Sequence, residues 1–83
     1  GKVSHDVLAS KSGRVREISN LRISRIARVA GAPHDKGAGI YLYKHIGDKV
    51  KRGEKLFTIY SESEHEMEYA KDVARKGLVF VIK

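Results

Sequence analysis

The sequence predicts an α+β domain built in the order β, β, α, β, β, α, β. The chain has 83 residues, of which 41% are hydrophobic, so it can bury one modest core. Two segments place their apolar residues at helical spacing, whereas the other apolar segments are short and bounded by glycine-containing turns. Because no linker or internal repeat divides the chain, we expect residues 1–83 to form a single domain.

Two strands are predicted before the first helix. They span Val3 to Ser10 and Arg14 to Ser19, and the Lys11-Ser12-Gly13 cluster between them indicates a turn. In the second strand, Val15 and Ile18 fall on opposite faces at strict alternation. This pattern predicts a β-bulge or a strand that is packed on both sides.

The first helix is predicted over Leu21 to Ala30. Asn20 is its expected N-cap, and Gly31 is expected to end it in a left-handed C-cap. The predicted buried stripe of this helix consists of Ile23, Ile26, Ala27 and Ala30.

Two strands and a helix follow the loop that contains Lys36 to Gly39. The strands are predicted over Ile40 to Ile46 and Lys55 to Tyr60, with turns at Gly47-Asp48 and Gly53-Glu54. Overlapping capping boxes, Ser61 with Glu64 and Ser63 with Glu66, predict a second helix that continues to about Lys76. A last strand is expected over Leu78 to Ile82. The predicted core is Ile26, Ile40, Leu42, Val50, Leu56, Ile59, Met67, Val73 and Val79.

The charge distribution is uneven along the chain. Seventeen Lys and Arg against ten Asp and Glu give +7; residues 1–53 carry +8 and residues 54–83 carry −1. A basic half is compatible with nucleic-acid binding, but no known nucleic-acid motif accompanies it, so we favour a solvated charged surface. The absence of an apolar stretch of about 20 residues and of a secretory leader indicates a cytoplasmic protein without a membrane partner.

The polar residues form no pattern typical of catalysis. The chain has no cysteine, and its four histidines lack metal-binding spacing. The loop from Lys36 to Gly39 has the glycines of a phosphate loop, but it leads from a helix into a strand rather than the reverse. The serines Ser61 and Ser63 are expected to serve as helix caps. We therefore predict no catalytic, cofactor-binding or metal-binding residue.

Two longer segments resemble known families. Gly47 to Ile59 resembles the barrel-sandwich unit of biotinyl and lipoyl carrier domains, although Tyr60-Ser61-Glu62-Ser63 offers no lysine for attachment. The segment from Ala30 to Ile40, together with Tyr60 to Glu64, resembles the C-terminal domain of thymidine and pyrimidine-nucleoside phosphorylases. The likeness extends from about Val7 to Val81 and is greatest to the archaeal AMP phosphorylases.

This resemblance implies an α/β-hammerhead fold in which residues 1–83 are the C-terminal domain of a much longer enzyme. The start at Gly1, without an initiator methionine, fits that expectation. Such an enzyme converts AMP, or thymidine, and phosphate into a free base and a phosphorylated sugar, with phosphate as co-substrate. The family's phosphate loop and catalytic residues lie in preceding domains and have no match here.

The resemblance therefore implies a non-catalytic domain with a structural or subunit-assembly role. Its expected partners are the remaining domains of the parent enzyme and further copies of it in a homo-oligomer, and the domain itself is expected to need no cofactor. A free-standing carrier-like module and a basic nucleic-acid-binding module remain as alternatives.

Overall fold

The protein is an α+β domain with two antiparallel three-stranded sheets and two helices. The computed structural model describes residues 2–83. One sheet has the strand order β1-β5-β3, and the other has the order β4-β2-β6. The elements are β1 (Val3–Leu8), β2 (Gly13–Ile18), α1 (Asn20–Ala30), β3 (Gly39–Leu42), β4 (Lys49–Val50), β5 (Lys55–Ser61), α2 (Glu64–Arg75) and β6 (Phe80–Ile82).

The β-structure differs from the prediction between β3 and β5. The strand expected over Ile40 to Ile46 ends at Leu42, and an additional strand, β4, follows. The side chain of Asp48 accepts a hydrogen bond of 2.7 Å from the His45 N–H, which forms a local turn in place of a strand ladder. The predicted order therefore lacked one strand, because β4 has only two residues and exists through its pairing with β2.

The capping of α1 also differs from the prediction. Ser19, not Asn20, is the N-cap, and its Oγ accepts a hydrogen bond of 3.2 Å from the N–H of Arg22. The local reason is that Asn20 already has helical geometry. At the other end, Gly31 has a φ of 127° and its N–H bonds to carbonyls of the last turn, which confirms the predicted C-cap.

The start of α2 distinguishes between the two predicted capping boxes. Ser63 is the N-cap, and its Oγ accepts a hydrogen bond of 3.2 Å from the Glu66 N–H. Ser61 instead is the last residue of β5 and is fully buried, so the Ser61–Glu64 box is wrong. The helix ends at Arg75, one residue earlier than predicted.

The core lies between the sheets and the helices and contains most of the predicted residues. Ile26, Val50, Leu56, Ile59, Met67 and Val79 are buried, while Ile40, Leu42 and Val73 are partly buried against them. The core also includes a stacked pair, Phe57 and Phe80, with ring centroids 5.8 Å apart. Within β2, the register against β6 shifts between Val15 and Glu17, which confirms the predicted irregularity. No helix within residues 2–83 is long and apolar enough to cross a membrane.

Candidate functional site

The β1-β5-β3 sheet presents tyrosines on the side away from the core. In the sheet register, Thr58 of β5 lies between Asp6 of β1 and Tyr41 of β3. Because side chains alternate along a strand, these residues face away from the buried Phe57 and Ile59. We call this surface the tyrosine face; it consists of Asp6, Tyr41, Tyr43, Lys55, Thr58 and Tyr60.

A hydrogen-bond network connects the polar groups of the tyrosine face. The Thr58 Oγ1 lies 2.7 Å from Asp6 Oδ1 and 3.0 Å from the Tyr43 hydroxyl oxygen. Since a hydroxyl has one proton, Thr58 donates to the carboxylate and accepts from the tyrosine. Lys55 Nζ lies 3.4 Å from Asp6 Oδ2 and 5.7 Å from the centroid of the Tyr43 ring. The buried Thr58, 2% exposed, therefore has partners for its hydroxyl.

The network shifts two pKa values in opposite directions. The hydrogen bond from Thr58 lowers the pKa of Asp6; burial opposes this shift, and the nearby Lys55 ammonium lowers the pKa further. The nearby Tyr43 hydroxyl raises the pKa of Tyr60, and burial and the Asp6 carboxylate act in the same direction. At neutral pH the face therefore presents the ionised Asp6 carboxylate near the neutral Tyr60 phenol.

Two tyrosine rings of this face are exposed to solvent, Tyr41 more than Tyr43. Tyr41 is 59% exposed and Tyr43 is 38% exposed, and their ring centroids are 5.0 Å apart. Tyr43 is oriented by its hydroxyl partner, so little side-chain entropy remains to be lost when another surface covers it. Tyrosine is enriched in protein interfaces because its ring contributes apolar area and its hydroxyl remains able to form hydrogen bonds.

The four histidines considered in the sequence lie on four different parts of the fold. His5 lies on β1, His34 in the loop after α1, His45 in the turn before β4 and His65 on α2. No group of three His, Asp or Glu side chains able to hold a metal forms within the described part of the chain. The prediction that the chain has no catalytic or ligand-binding residue stays a prediction.

The sequence indicated exposed tyrosines near the predicted β unit as a contact surface, but it did not show which residues the tyrosine face combines. The alternation of Tyr41 and Tyr43 with Ile40 and Leu42 indicated one common side for the two rings. The position of Tyr60 beside them depends on the pairing of β3 with β5, in which Gly39 opposes Tyr60. That register is set by tertiary packing, so the alternation in each strand was the only available signal.

The fold and the tyrosine face together define a small α+β domain with an exposed aromatic surface on one of its sheets. The chain belongs to the pyrimidine nucleoside phosphorylase C-terminal domain family, which it matches over residues 14–80. This finding confirms the resemblance described above.

Individual relatives cover nearly the whole chain. A Legionella pneumophila (strain Corby) protein named "Putative thymidine phosphorylase" is 49% identical over 74 residues, which are 89% of this chain and 14% of the relative. The AMP phosphorylase of Methanosarcina barkeri (strain Fusaro / DSM 804) is 43% identical over 83 residues, which are 100% of this chain and 16% of that protein. The AMP phosphorylase of Methanococcoides burtonii is 39% identical over 83 residues, which are 100% of this chain and 16% of that protein. The chain thus spans only 14–16% of the length of these relatives.

Proposed function

We propose that this chain is a non-catalytic, C-terminal α/β-hammerhead domain of a nucleoside or nucleotide phosphorylase, and that it acts as scaffolding. The tyrosine face is the surface that packs against the remainder of the enzyme. The observation that carries this proposal is the pair of neighbouring exposed rings, Tyr41 and Tyr43, of which Tyr43 is held by a partly buried hydrogen bond to Thr58. The relatives support it, because the matched segment is a small part of proteins named as phosphorylases.

The parent reaction replaces a nucleobase by phosphate at C1 of the sugar. With AMP as substrate, a phosphate oxygen forms a new bond to C1 while the bond from C1 to the base nitrogen breaks, which gives adenine and ribose 1,5-bisphosphate. A site for this step needs phosphate-binding groups and a donor for the leaving base. On the tyrosine face, the one carboxylate, Asp6, is already engaged by Thr58 and Lys55. We therefore assign the phosphorolysis step to the parts of the parent enzyme that lie outside the segment matched by this chain.

The two alternative functions have less support from the geometry. Carrier domains present a lysine in a hairpin, whereas in this chain β5 ends at Ser61 and is followed by helix α2.

A single-stranded nucleic-acid binder combines aromatic rings with cations along one groove. In this chain the exposed tyrosines Tyr41 and Tyr43 lie beside β5, whereas five cations line a groove on the other sheet.

A chimeric enzyme tests the scaffolding role. The matched segment of the Methanosarcina barkeri AMP phosphorylase is replaced by this chain, and adenine release from AMP and phosphate is measured by chromatography. Tyr41→Ala is compared with Tyr69→Ala, since Tyr69 is 57% exposed but lies on α2. We expect Tyr41→Ala to lower the thermal stability of the chimera, whereas Tyr69→Ala leaves it unchanged, because only the first ring is covered.

The 83-residue chain alone provides the complementary measurement. Incubated with phosphate and either AMP or thymidine, it should release no base. Base release above a heat-treated control would contradict the non-catalytic assignment. Equal effects of Tyr41→Ala and Tyr69→Ala on the chimera would contradict the assignment of the tyrosine face.

A further inference from the structure

The second sheet carries a row of cations on β2, on and after β4, and at the residue that follows β6. Arg14 on β2 lies directly opposite Lys49 on β4. On its other side, Arg14 exchanges backbone hydrogen bonds of 3.0 and 3.1 Å with Lys83, next to β6. Arg16 lies two residues beyond Arg14 and Lys51 two residues beyond Lys49, in opposite directions because the strands are antiparallel, and all five cations line one groove of 390 Å³ with Gly13 and Val50. We call this surface the basic groove: Arg14, Arg16, Lys49, Lys51 and Lys83.

The cations of the basic groove form no direct ion pairs among residues 2–83, although the backbone N–H of Lys51 and, less strongly, its charge help to lower the pKa of the neighbouring Glu54. No acidic side chain lines the groove, and none of its five cations belongs to an ion pair within 4.0 Å. The guanidinium of Arg14 donates a hydrogen bond of 2.6 Å to the Gly47 carbonyl, which orients it but does not neutralise it. The nearby Asp48 carboxylate is engaged by the His45 N–H instead.

This arrangement costs stability unless an anion is present. Like charges directly opposite each other on neighbouring strands repel, as Arg14 and Lys49 do here. Their positions are fixed by the buried neighbours Val15 and Val50, which are 0% and 3% exposed and hold the strands in register. The cations therefore remain together on the outer side of the sheet, and their combined field attracts anions.

We propose that the basic groove binds a linear polyphosphate, an anion with at least two adjacent phosphate groups. Three neighbouring strands place the row of cations over about 10 Å, and residues two apart on a strand are separated by about 7 Å. A single phosphate reaches only part of this array, whereas a chain of phosphates contacts cations on several strands. Arg14 and Arg16 add planar guanidinium groups, which bind phosphate oxygens in pairs.

The lining of the groove indicates that phosphates, and not a base, are recognised. No aromatic side chain lines it, so nothing there stacks on a nucleobase. Inorganic polyphosphate and nucleoside di- or triphosphates both contain adjacent phosphate groups, which are the feature that the groove binds. This proposal is independent of the scaffolding role, because it concerns the other sheet and requires no other part of the enzyme.

Calorimetric titration of the 83-residue chain with tripolyphosphate tests the proposal. Lys49→Gln/Lys51→Gln is compared with Lys2→Gln/Lys36→Gln, which removes the same two charges from exposed lysines outside the groove. We expect the groove variant to raise Kd about tenfold, since two exposed ion pairs are lost, while the control raises it by less than about twofold. Binding should weaken markedly between 50 and 200 mM salt, as expected for phosphate contacts.

Further ligands distinguish the possible sources of the phosphates. ATP should bind within about threefold of tripolyphosphate, and orthophosphate about tenfold more weakly, because the groove contacts only the phosphate chain. Equal effects of the two double variants, or no detectable tripolyphosphate binding at low salt, would overturn the proposal. A thymidine oligonucleotide that binds more tightly than tripolyphosphate would overturn it in favour of a nucleic-acid backbone. Thermal unfolding of each variant checks its fold, and Lys51→Gln alone, which leaves β4 intact, serves as a second groove variant.

Discussion

Ser61 provides the sharpest test of the structure, because sequence and structure assign it different roles. The sequence predicts a helix cap, which only accepts a hydrogen bond from the backbone. In the structure, Ser61 is 0% exposed, and its Oγ donates a hydrogen bond of 2.8 Å to the carbonyl oxygen of Ala30. That carbonyl belongs to the last residue of α1, so no later helical N–H bonds to it. Ser61 therefore connects β5 to the end of α1.

The expected cost follows from this hydrogen bond. Ser61→Ala removes the donor and leaves a buried carbonyl without its partner, which costs about 1–3 kcal/mol. In a domain of this size, a loss of about 2 kcal/mol lowers Tm by about 8–16 °C. Ser24→Ala is the matched control, because Ser24 is exposed on α1 and the substitution should change stability by less than about 0.5 kcal/mol.

Ser61→Asp separates the two roles of Ser61. Aspartate caps helices as well as serine does, so a capping role predicts little change. A carboxylate cannot donate to the Ala30 carbonyl and would be buried beside it, so the structure predicts a loss of about 3 kcal/mol or more. The measurement is urea unfolding at pH 7 followed by circular dichroism. A Ser61→Asp variant as stable as the parent chain would refute the connection between β5 and α1.

Three further predictions concern the core, the tyrosine face and a turn. Leu56→Ala should lower the free energy of unfolding by about 2–5 kcal/mol, because Leu56 is only 6% exposed; an unchanged thermal transition would contradict its place in the core. Asp6→Asn should lower Tm at pH 7 but much less at pH 3. The pKa of Asp6 is lower in the folded state than in the unfolded state, so the ionised carboxylate stabilises the fold above the unfolded-state pKa. This stabilisation is lost as the pH falls through the folded-state pKa. A Tm difference between the variant and the parent chain that is the same at both pH values would refute the role of the Asp6 carboxylate. Gly53→Ala should cost about 1–2 kcal/mol in urea unfolding through backbone strain alone, because Gly53 has a φ of 92° and no atom lies within 4 Å of an added Cβ; a neutral result would show that the turn relaxes.

The helices were predictable because their signals are local. The apolar stripe of α1, the C-cap at Gly31 and the capping box of Ser63 with Glu66 each depend on residues within one or two turns. The same is true of the irregularity in β2, which the positions of Val15 and Ile18 indicated. The exception, the choice of Ser19 over Asn20 as N-cap, is a shift of one residue between two side chains that cap equally well.

The contact surfaces were less predictable because they combine distant segments. The tyrosine face requires Asp6, Tyr41 and Thr58 to meet across three strands. The basic groove requires Arg14 to meet Lys49, although the uneven charge of the chain was evident from the sequence. Contacts of this kind depend on strand register, because a register shift of one residue would move every side chain of the shifted strand to the opposite side of the sheet.

The sequence by itself determined the α+β class, both helices, most of the core and the family. These follow from apolar spacing, caps and continuous motifs, which are properties of neighbouring residues. Only the tertiary structure decided the strand β4, the burial of Ser61 and the location of the two surfaces. The physical reason is that the two-residue strand β4 and the buried Ser61 are stabilised by contacts with partners roughly 30 or more residues away in the chain.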